Sequence, residues 1–329
     1  MRKIVITGGA GFIGSHIVDH FASHYPDTKI VILDKMTYAA DVQNIMHHIQ
    51  NKRAKLLVHD ICDLQLCHRA LEGVDLLIHA AAESHVDNSF GNSLEFSKTN
   101  VLGTHALMEA ALKAKVPKII HLSTDEVYGE ILEGSVDETA ALNPTNPYSA
   151  SKAAADMILS GYRKSFGLPV ITVRSNNIFG VRQFPEKILP KFILQLMTGN
   201  KLTLHGSGVN KRHFLAAEDL CRALDILVKN GEVGRTYNIG TKDEYMNIEI
   251  AHIICGVFGL DPADWVMHVE NRLFNDARYA ISWDPISKLG WKPEMHLKKE
   301  IARMANWYME NISRFVLDGQ HIVNKPLSA

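Results

Sequence analysis

A short apolar run, Lys3–Thr7, delivers the chain directly into Gly8-Gly9-Ala10-Gly11-Phe12-Ile13-Gly14, and an amphipathic stretch from Ser15 to Ser23 follows. This order of strand, glycine-rich turn and helix constrains the fold more than any other feature of the 329 residues. Glycine at 8, 11 and 14 permits a tight turn and close approach of a ligand to the backbone. The peptide N–H groups of the first helical turn have no intrahelical partner, so a pyrophosphate can rest on them with the helix dipole behind it. The spacing is GxxGxxG rather than GxGxxG.

The next apolar run, Lys29–Leu33, ends at Asp34, 20 positions beyond Gly14. A carboxylate there can accept hydrogen bonds from a ribose and repel a 2′-phosphate, which predicts NAD rather than NADP; the neighbouring Lys35 works against that preference. Further short runs occur at Lys55–Val58, Leu76–Ala80, Lys118–Ser123 and Val170–Arg174. Their length and β-branched content suit buried parallel strands joined by crossover helices, predicting a doubly wound α/β fold. Asp60 and Ile61, after the third run, are candidates to flank an adenine.

Beyond Ser175 the rhythm breaks into a stretch containing Pro185, Pro190, Gly199, Gly206 and Gly208, as expected of a region built around a ligand. A helix over Glu218–Lys229 and a strand over Arg235–Ile239 return to the first layer. The expected division is therefore interrupted: 1–176 with 213–242 as a dinucleotide-binding domain, and 177–212 with 243–329 as a smaller, carboxy-terminal substrate domain. Helical periodicity resumes at Ile248–Phe258 and Leu297–Met309.

With 46% hydrophobic residues the chain can fill a substantial core, and 35 basic against 36 acidic residues give no global field for nucleic acid or an anionic membrane. Cys62, Cys67, Cys221 and Cys255 show neither CxxC nor zinc-ligand spacing and read as reduced thiols. No apolar run reaches the ~18 residues that span a bilayer, and no cleavable leader is recognised, so the expectation is a cytoplasmic protein. The 17 histidines form no HExxH-type cluster, so no metal is expected. His47-His48 reads as a solvated helix face.

Tyr148 and Lys152 form a YxxxK pair inside Pro147-Tyr-Ser-Ala-Ser-Lys-Ala. Positions i and i+4 share a helix face, so an ammonium can lie beside the phenol and favour the phenolate, turning a group with a pKa of about 10 into a usable base. Just upstream, a strand ends in Ser123-Thr124-Asp125-Glu126-Val127-Tyr128-Gly129. Parallel sheets gather ligands at the carboxyl ends of their strands, which brings both segments to the dinucleotide. One base and one orienting hydroxyl suffice for alcohol oxidation. Two adjoining carboxylates add capacity for further proton transfers.

At this point the sequence resembles the nucleotide-sugar 4,6-dehydratases, which are extended short-chain dehydrogenases with a Rossmann-like fold. The resemblance is carried by TGGAGFIGSH, HAAAESHVDNSFGNS, STDEVYGE, NPTNPYSASKAAADM, RSNNIFG, QFPEKILPKFI, GEVGRTYNIGT and VENRLFNDARY, from residue 4 to about 291. HVDNSFGNS, LPKFIL and GEVGRTYNIGTK look most like the dehydratase portion of eukaryotic UDP-rhamnose synthases, which favours UDP-glucose over dTDP-glucose.

The resemblance implies roles. Tyr148 takes the proton of the sugar 4-hydroxyl, with Lys152 supporting the phenolate and Thr124 bonding the same oxygen; Glu126 removes the C5 proton and Asp125 protonates the departing 6-hydroxyl. Gly8, Gly11, Phe12, Ile13, Gly14, Asp34, Asp60, Ile61, Ala80, Ala82, Thr99 and Asn177, with Tyr148 and Lys152, are implied around NAD. Ser84, His85, Asn176, Lys187, Arg212, Asn247 and Arg272 are implied around the sugar nucleotide, where arginine and lysine suit a diphosphate. A homodimer through helices near Thr99–Ala114 and Ser151–Phe166 is also implied.

Two departures bear on the substrate. Lys211–Ala217 replaces the family's arginine–aromatic–leucine–tyrosine run, and Leu273 stands at a common proline position. UDP-N-acetylglucosamine and dTDP-glucose therefore stay open as substrates of the same reaction. A UDP-sugar 4-epimerase would share Tyr148, Lys152 and the glycine loop but has no use for Asp125 and Glu126, and a non-catalytic dinucleotide sensor would need none of the five reactive residues.

Overall fold

The computed structural model describes residues 1–271, 275–318 and 321–324. In the first half the strands are β1 (Lys3–Thr7), β2 (Lys29–Asp34), β3 (Ala54–Val58), β4 (Leu76–His79), β5 (Ile119–Thr124) and β6 (Val170–Ser175). Then come β7 (Asn177–Phe179), β8 (Leu202–His205), β9 (Lys211–Ala216), β10 (Thr236–Ile239), β11 (Glu244–Met246) and β12 (Val266–Val269). Each run read from the sequence as a buried strand is a strand, displaced by no more than a residue at either end, but β3, at the sheet edge, is buried only at Ala54.

Seven strands make one parallel sheet in the order β10-β6-β5-β4-β1-β2-β3. The chain winds outward from β1 in both directions, so the carboxyl ends of β1 and β4 flank the switch point where a ligand crevice opens. Strands β4 and β5 are buried along their whole length, which explains why their sequences do not alternate. Helices cover both faces. Phe12–His24 and Ala217–Asn230 pack on one side through Ile17, Phe21, Leu220 and Leu224. Leu64–Leu71, Thr104–Ala114 and Pro147–Phe166 cover the other through Leu71, Leu107, Met108 and Leu159.

The helix Pro147–Phe166 starts where its sequence says it should. Asn146 accepts the Ser149 N–H at 2.8 Å, Ser149 reaches back to Asn146, and Pro147 occupies the first turn, where its missing N–H costs nothing. Gly167, with φ of 65°, ends it in the left-handed conformation. A cap of this kind is worth about 1 kcal/mol and fixes the start of the turn that presents Tyr148.

One residue, Asn176, separates β6 from β7, and there the chain leaves the large sheet. Strand β7 pairs in parallel with β9, which pairs antiparallel with β11, while β8 and β12 form a parallel pair. Ile188–Met197, Asn247–Val257 and Leu297–Glu310 close a second apolar core around Phe192, Ile193, Ile254, Met304 and Tyr308. The helix Ala217–Asn230 and β10 then rejoin the first layer.

The histidine pair differs from its sequence reading. His47 is exposed, but His48 is buried, with Nε2 2.7 Å from Asp19 Oδ1 on the neighbouring helix. Asp19, His47 and His48 are close enough together to hold a cation, although Arg182 already neutralises Asp19 at 2.7 Å. The four cysteines are free thiols. Among the described residues no helix is long and apolar enough to cross a membrane.

Candidate active site

A cleft of about 380 Å³ runs along the carboxyl ends of β1, β2, β4, β5 and β6 and continues over β7 and β9. At its β1 end Gly8 adopts φ of 69°, and a Cβ on it would lie 2.8 Å from the Ala81 Cα. A Cβ on Gly14 would lie 1.9 Å from the Gly8 carbonyl oxygen. The glycines are thus required by backbone packing, and with Gly11 preceding the helix Phe12–His24 they leave the helix terminus open to the cleft. A dinucleotide pyrophosphate fits this cradle.

Asp34 ends β2 against the same cleft. Its Oδ2 accepts the Ala10 N–H at 2.9 Å and its Oδ1 the Met36 N–H at 2.8 Å, so it ties the glycine turn to β2 besides facing the ligand space. Burial pushes its pKa up despite those bonds. The ammonium of Lys35 lies 2.8 Å from Glu95 and 3.7 Å from Asp60. Already paired with carboxylates, it is not free to attract a 2′-phosphate, and the preference read from Asp34 stands. Phe12, Ile13, Asp60, Ile61, Ala80, Ala82, Thr99 and Asn177 also line the cleft. Thr99 sits in a π-helical stretch, Ser97–Gly103, whose Asn100 bonds the Glu83 N–H and C=O at 2.9 Å each and holds the loop after β4.

At the centre, β5 ends in Thr124 and passes into a single 3₁₀ turn, Asp125–Tyr128. Thr124 caps that turn by accepting the Glu126 N–H at 3.3 Å. Thr124, Glu126, Tyr148 and Lys152 face the cleft. Asp125 does not: it lies behind the wall, 2% exposed, with Oδ2 accepting from Asn176 Nδ2 at 2.8 Å. Burial, reinforced by the Glu126 charge, pushes Asp125 up to about 7 against the Asn176 bond. Burial also raises Glu126, opposed by the positive charges of Lys187 and Arg212 and by Asn146 Nδ2 at 3.4 Å. The pair is asymmetric in access, since Glu126 faces the cleft and Asp125 does not, while Arg212 opposes the effect of burial on both and each accepts from an amide, Asn146 or Asn176.

Tyr148 packs edge-on against Phe96, and burial together with Glu126 drives its phenol well above the usual range. The expected contact of ammonium and phenol is not what the geometry shows. Lys152 Nζ donates to the Leu122 carbonyl of β5 at 2.7 Å, and burial lowers its pKa to about 8.

The residues implied around the sugar nucleotide are distributed unevenly. Ser84, His85, Lys187, Arg212 and Asn247 line the far end of the cleft, where Lys187 Nζ bonds the Ser84 carbonyl at 2.8 Å and His85 lies 3.7 Å from Glu186. Asn176 touches the cleft, but its amide is engaged at both ends, by Asp125 and by the Thr241 N–H at 3.0 Å, so it supports Asp125 rather than offering a free ligand group. Arg272 lies outside the described residues.

The cleft also contains Asn146, Asn275, Asp276 and Tyr279, which the sequence reading passed over. The Arg212 guanidinium stacks over Tyr279 at 4.7 Å and reaches Asn275 at 3.3 Å, while Asp276 accepts from Thr145 at 2.8 Å and from the Tyr279 hydroxyl. The signal for Asn275, Asp276 and Tyr279 lay in the VENRLFNDARY segment, from which only Arg272 was drawn, and that for Asn146 in NPTNPYSASK.

A doubly wound sheet, a glycine cradle backed by Asp34 and a reactive tyrosine–lysine helix define an NAD-dependent enzyme of the extended short-chain dehydrogenase class. The chain belongs to the GDP-mannose 4,6 dehydratase family, whose signature matches residues 5–304. It is 45% identical over 316 residues to a trifunctional UDP-glucose 4,6-dehydratase/UDP-4-keto-6-deoxy-D-glucose 3,5-epimerase/UDP-4-keto-L-rhamnose-reductase of Arabidopsis thaliana, covering 94% of this chain and 47% of that protein. The chain thus spans about half the length of that relative. It is 39% identical to the human dTDP-D-glucose 4,6-dehydratase, covering 94% of this chain and 91% of the relative. The crystal structure of the dTDP-glucose 4,6-dehydratase DesIV of Streptomyces venezuelae, with NAD bound, superposes with a TM-score of 0.92 at 38% identity over 95% of this chain and 98% of that one. A UDP-glucuronic acid 4-epimerase of Bacillus cereus, solved with NAD, reaches 0.89 at 25% identity over 94% of this chain and 100% of that one. Overall shape is shared by dehydratases and epimerases, so the reaction must be argued from the site.

Proposed function

We propose that the protein is a nucleotide-sugar 4,6-dehydratase whose preferred substrate is UDP-glucose. The observation that carries the reaction is the Asp125–Glu126 pair next to Tyr148, one carboxylate facing the cleft and the other buried behind its wall. Bound NAD supplies a reversible hydride acceptor, taking hydride from C4 and returning it to C6. Tyr148 removes the proton of the 4-hydroxyl, steadied by Thr124 and by the positive charge of Lys152. The 4-ketone acidifies C5–H, and Glu126, which faces the cleft with Lys187 and Arg212 opposing the effect of burial, accepts that proton. Asp125, raised by burial to about 7, turns from Asn176 into the cleft and protonates the leaving 6-hydroxyl. Water departs, Glu126 gives its proton back to C5 as hydride returns to C6, the proton gained by Tyr148 balances the one lost by Asp125, and the product is a UDP-4-keto-6-deoxy sugar with no net redox change.

Arg212 and Lys187, with Asn275, Tyr279 and Asn247, are suited to the diphosphate and base at the far end of the cleft. UDP-glucose is favoured over dTDP-glucose by the 45% identity to the plant UDP-glucose enzyme against 39% to the human dTDP-glucose enzyme. The interrupted division, 1–176 with 213–242 against 177–212 with 243–329, assigns the cofactor to the first part and the sugar nucleotide to the second. Leu102, Met157 and Phe166, at least 55% exposed on two adjacent helical segments, supply an apolar face for a homodimer.

The purified chain, loaded with NAD, is incubated with UDP-glucose and with dTDP-glucose, and products are identified by mass and NMR. Loss of one water with a new C6 methyl group is expected, faster from UDP-glucose. UDP-galactose as the sole product would refute the dehydratase reading, and higher kcat/KM for dTDP-glucose would refute the choice of base.

A further inference from the structure

Outside the cleft, one cluster of metal-competent side chains is assembled from two helices that lie apart in the sequence. Asp19 sits in the helix Phe12–His24, whose first turn belongs to the glycine cradle, and His47 and His48 sit in the short helix Met46–Gln50. His48 Nε2 is 2.7 Å and His47 Nε2 3.5 Å from the same oxygen, Asp19 Oδ1. The two rings are neighbours, with centroids 3.8 Å apart and planes tilted by 41°. One ligand atom from each of the three residues lies within 4.8 Å of the other two, which no other trio of His, Cys, Asp or Glu achieves among the described residues.

The spacing suits a tetrahedral centre. Bonds of about 2.0–2.1 Å from zinc to nitrogen and oxygen set ligand atoms about 3.3 Å apart. The His47–Asp19 separation is already close to that, and the His48–Asp19 hydrogen bond has to open by only about 0.6 Å as a cation takes the place of its proton. Access is one-sided: the His48 side chain is 11% exposed and that of His47 54%, so protein closes one flank and water can complete the shell on the other.

Arg182, on the loop after β7, holds Asp19 Oδ2 at 2.7 Å. That contact leaves Oδ1 turned to the histidines and orients the carboxylate, as an outer-shell partner does. It also neutralises the carboxylate, so attraction by charge alone is weak. Two imidazoles with a neutralised carboxylate favour a cation that bonds nitrogen strongly, Zn²⁺ or Ni²⁺, over Mg²⁺ or Ca²⁺, which require several oxygens.

We infer that Asp19, His47 and His48 form a surface site for a transition-metal dication of the zinc class. The adjacent histidines show no metal-ligand spacing along the chain because the third ligand stands 28 positions before His47. A cation bound there joins the cradle helix to the segment between β2 and β3, from which Lys35, Thr37, Ala39 and Ala40 line the cleft. The site stands apart from the proposed reaction, and its test needs no substrate.

NAD-loaded protein, stripped of metal by a chelator and kept reduced, is titrated calorimetrically with ZnCl₂, NiCl₂ and MgCl₂, and its melting is followed with each. One Zn²⁺ or Ni²⁺ per chain is expected to bind in the micromolar range, with no saturable uptake of Mg²⁺. At a hundredfold excess over Kd the chain should melt about 4 °C higher. His47→Ala, which removes the exposed ligand, and Asp19→Asn should each weaken binding at least about tenfold, since a direct ligand matters no less than an outer-shell one. His24→Ala, on the same helix as Asp19 but with its ring stacked on His20, should leave it unchanged. Absence of saturable Zn²⁺ and Ni²⁺ binding would overturn the inference. So would undiminished binding in His47→Ala, which would place the cation elsewhere, on a thiol for example, or an equal loss in His24→Ala, which would reduce the effect to unspecific surface histidines.

Discussion

The elimination pair has a thermodynamic signature that can be measured without substrate. Asp125 is 2% exposed and displaced from its usual 3.8 to about 7, chiefly by burial. At 1.36 kcal/mol per pH unit this displacement is worth roughly 4 kcal/mol. The sign follows from proton counting. Between pH 4 and 7 the unfolded chain has lost the Asp125 proton and the native chain keeps it, so stability falls as pH rises and the full penalty is present above 7. Asp125→Asn removes the titration while keeping the geometry. The new amide oxygen can accept the 2.8 Å bond from Asn176, and its NH₂ faces the Thr124 hydroxyl at 3.3 Å. Because Glu126 occupies the same enclosed space and shares the proton balance, about 1–3 kcal/mol of the total is expected in the variant.

Urea unfolding of both proteins at pH values from 4 to 8 supplies the assay, with stability taken from the midpoint and slope. The stability of Asp125→Asn relative to wild type should rise with pH by about 1–3 kcal/mol and level off above 7, while dehydration is lost. A variant more stable and inactive would show that the native site carries a destabilising charge for its chemistry. Parallel stability curves would refute the argument, since they would mean that Asp125 titrates alike in the folded and unfolded chain.

Two other outcomes follow from the geometry. Gly14→Ala, whose Cβ would meet the Gly8 carbonyl at 1.9 Å, should lose bound NAD in the purified protein and cost at least about 2 kcal/mol of stability, read by cofactor content and thermal melting. Met157→Asp, placing a charge on a residue now 64% exposed in the apolar face, should leave the fold intact and yield monomers by light scattering at micromolar concentration if that face joins two copies; an unchanged dimeric mass would relocate the interface.

The large sheet was legible because its strands are continuous apolar runs between turn residues, a pattern that burial on two faces imposes locally. The cofactor cradle was legible for the same reason: Gly8, Gly11, Gly14 and Asp34 are fixed by chain geometry within two neighbouring strands. The far end of the cleft was not. Asn275, Asp276 and Tyr279 come from a segment without periodicity and gain their setting only when it crosses β9. Asn176 reads as a free amide until the Thr241 N–H and Asp125 are seen to occupy both its ends. The direction of Lys152 was likewise invisible, because the Leu122 carbonyl that captures it belongs to another element. His48 was misread for a related reason: Asp19, which buries it, stands 29 positions earlier.

Asn176 carries a consequence beyond its bonds. It is the single residue between β6 and β7, its own N–H donates to the Ile239 carbonyl at the end of β10, and its side chain spans from Thr241 to Asp125. The joint between the two sheets and the proposed proton donor are therefore one piece of hardware. Any rocking of the sugar-side sheet against the cofactor-side sheet would be transmitted through one amide to the Asp125 carboxyl, so the acid's readiness would depend on how the halves are set. A substrate that seats the far end differently would then be sensed at the reacting carbon without touching it.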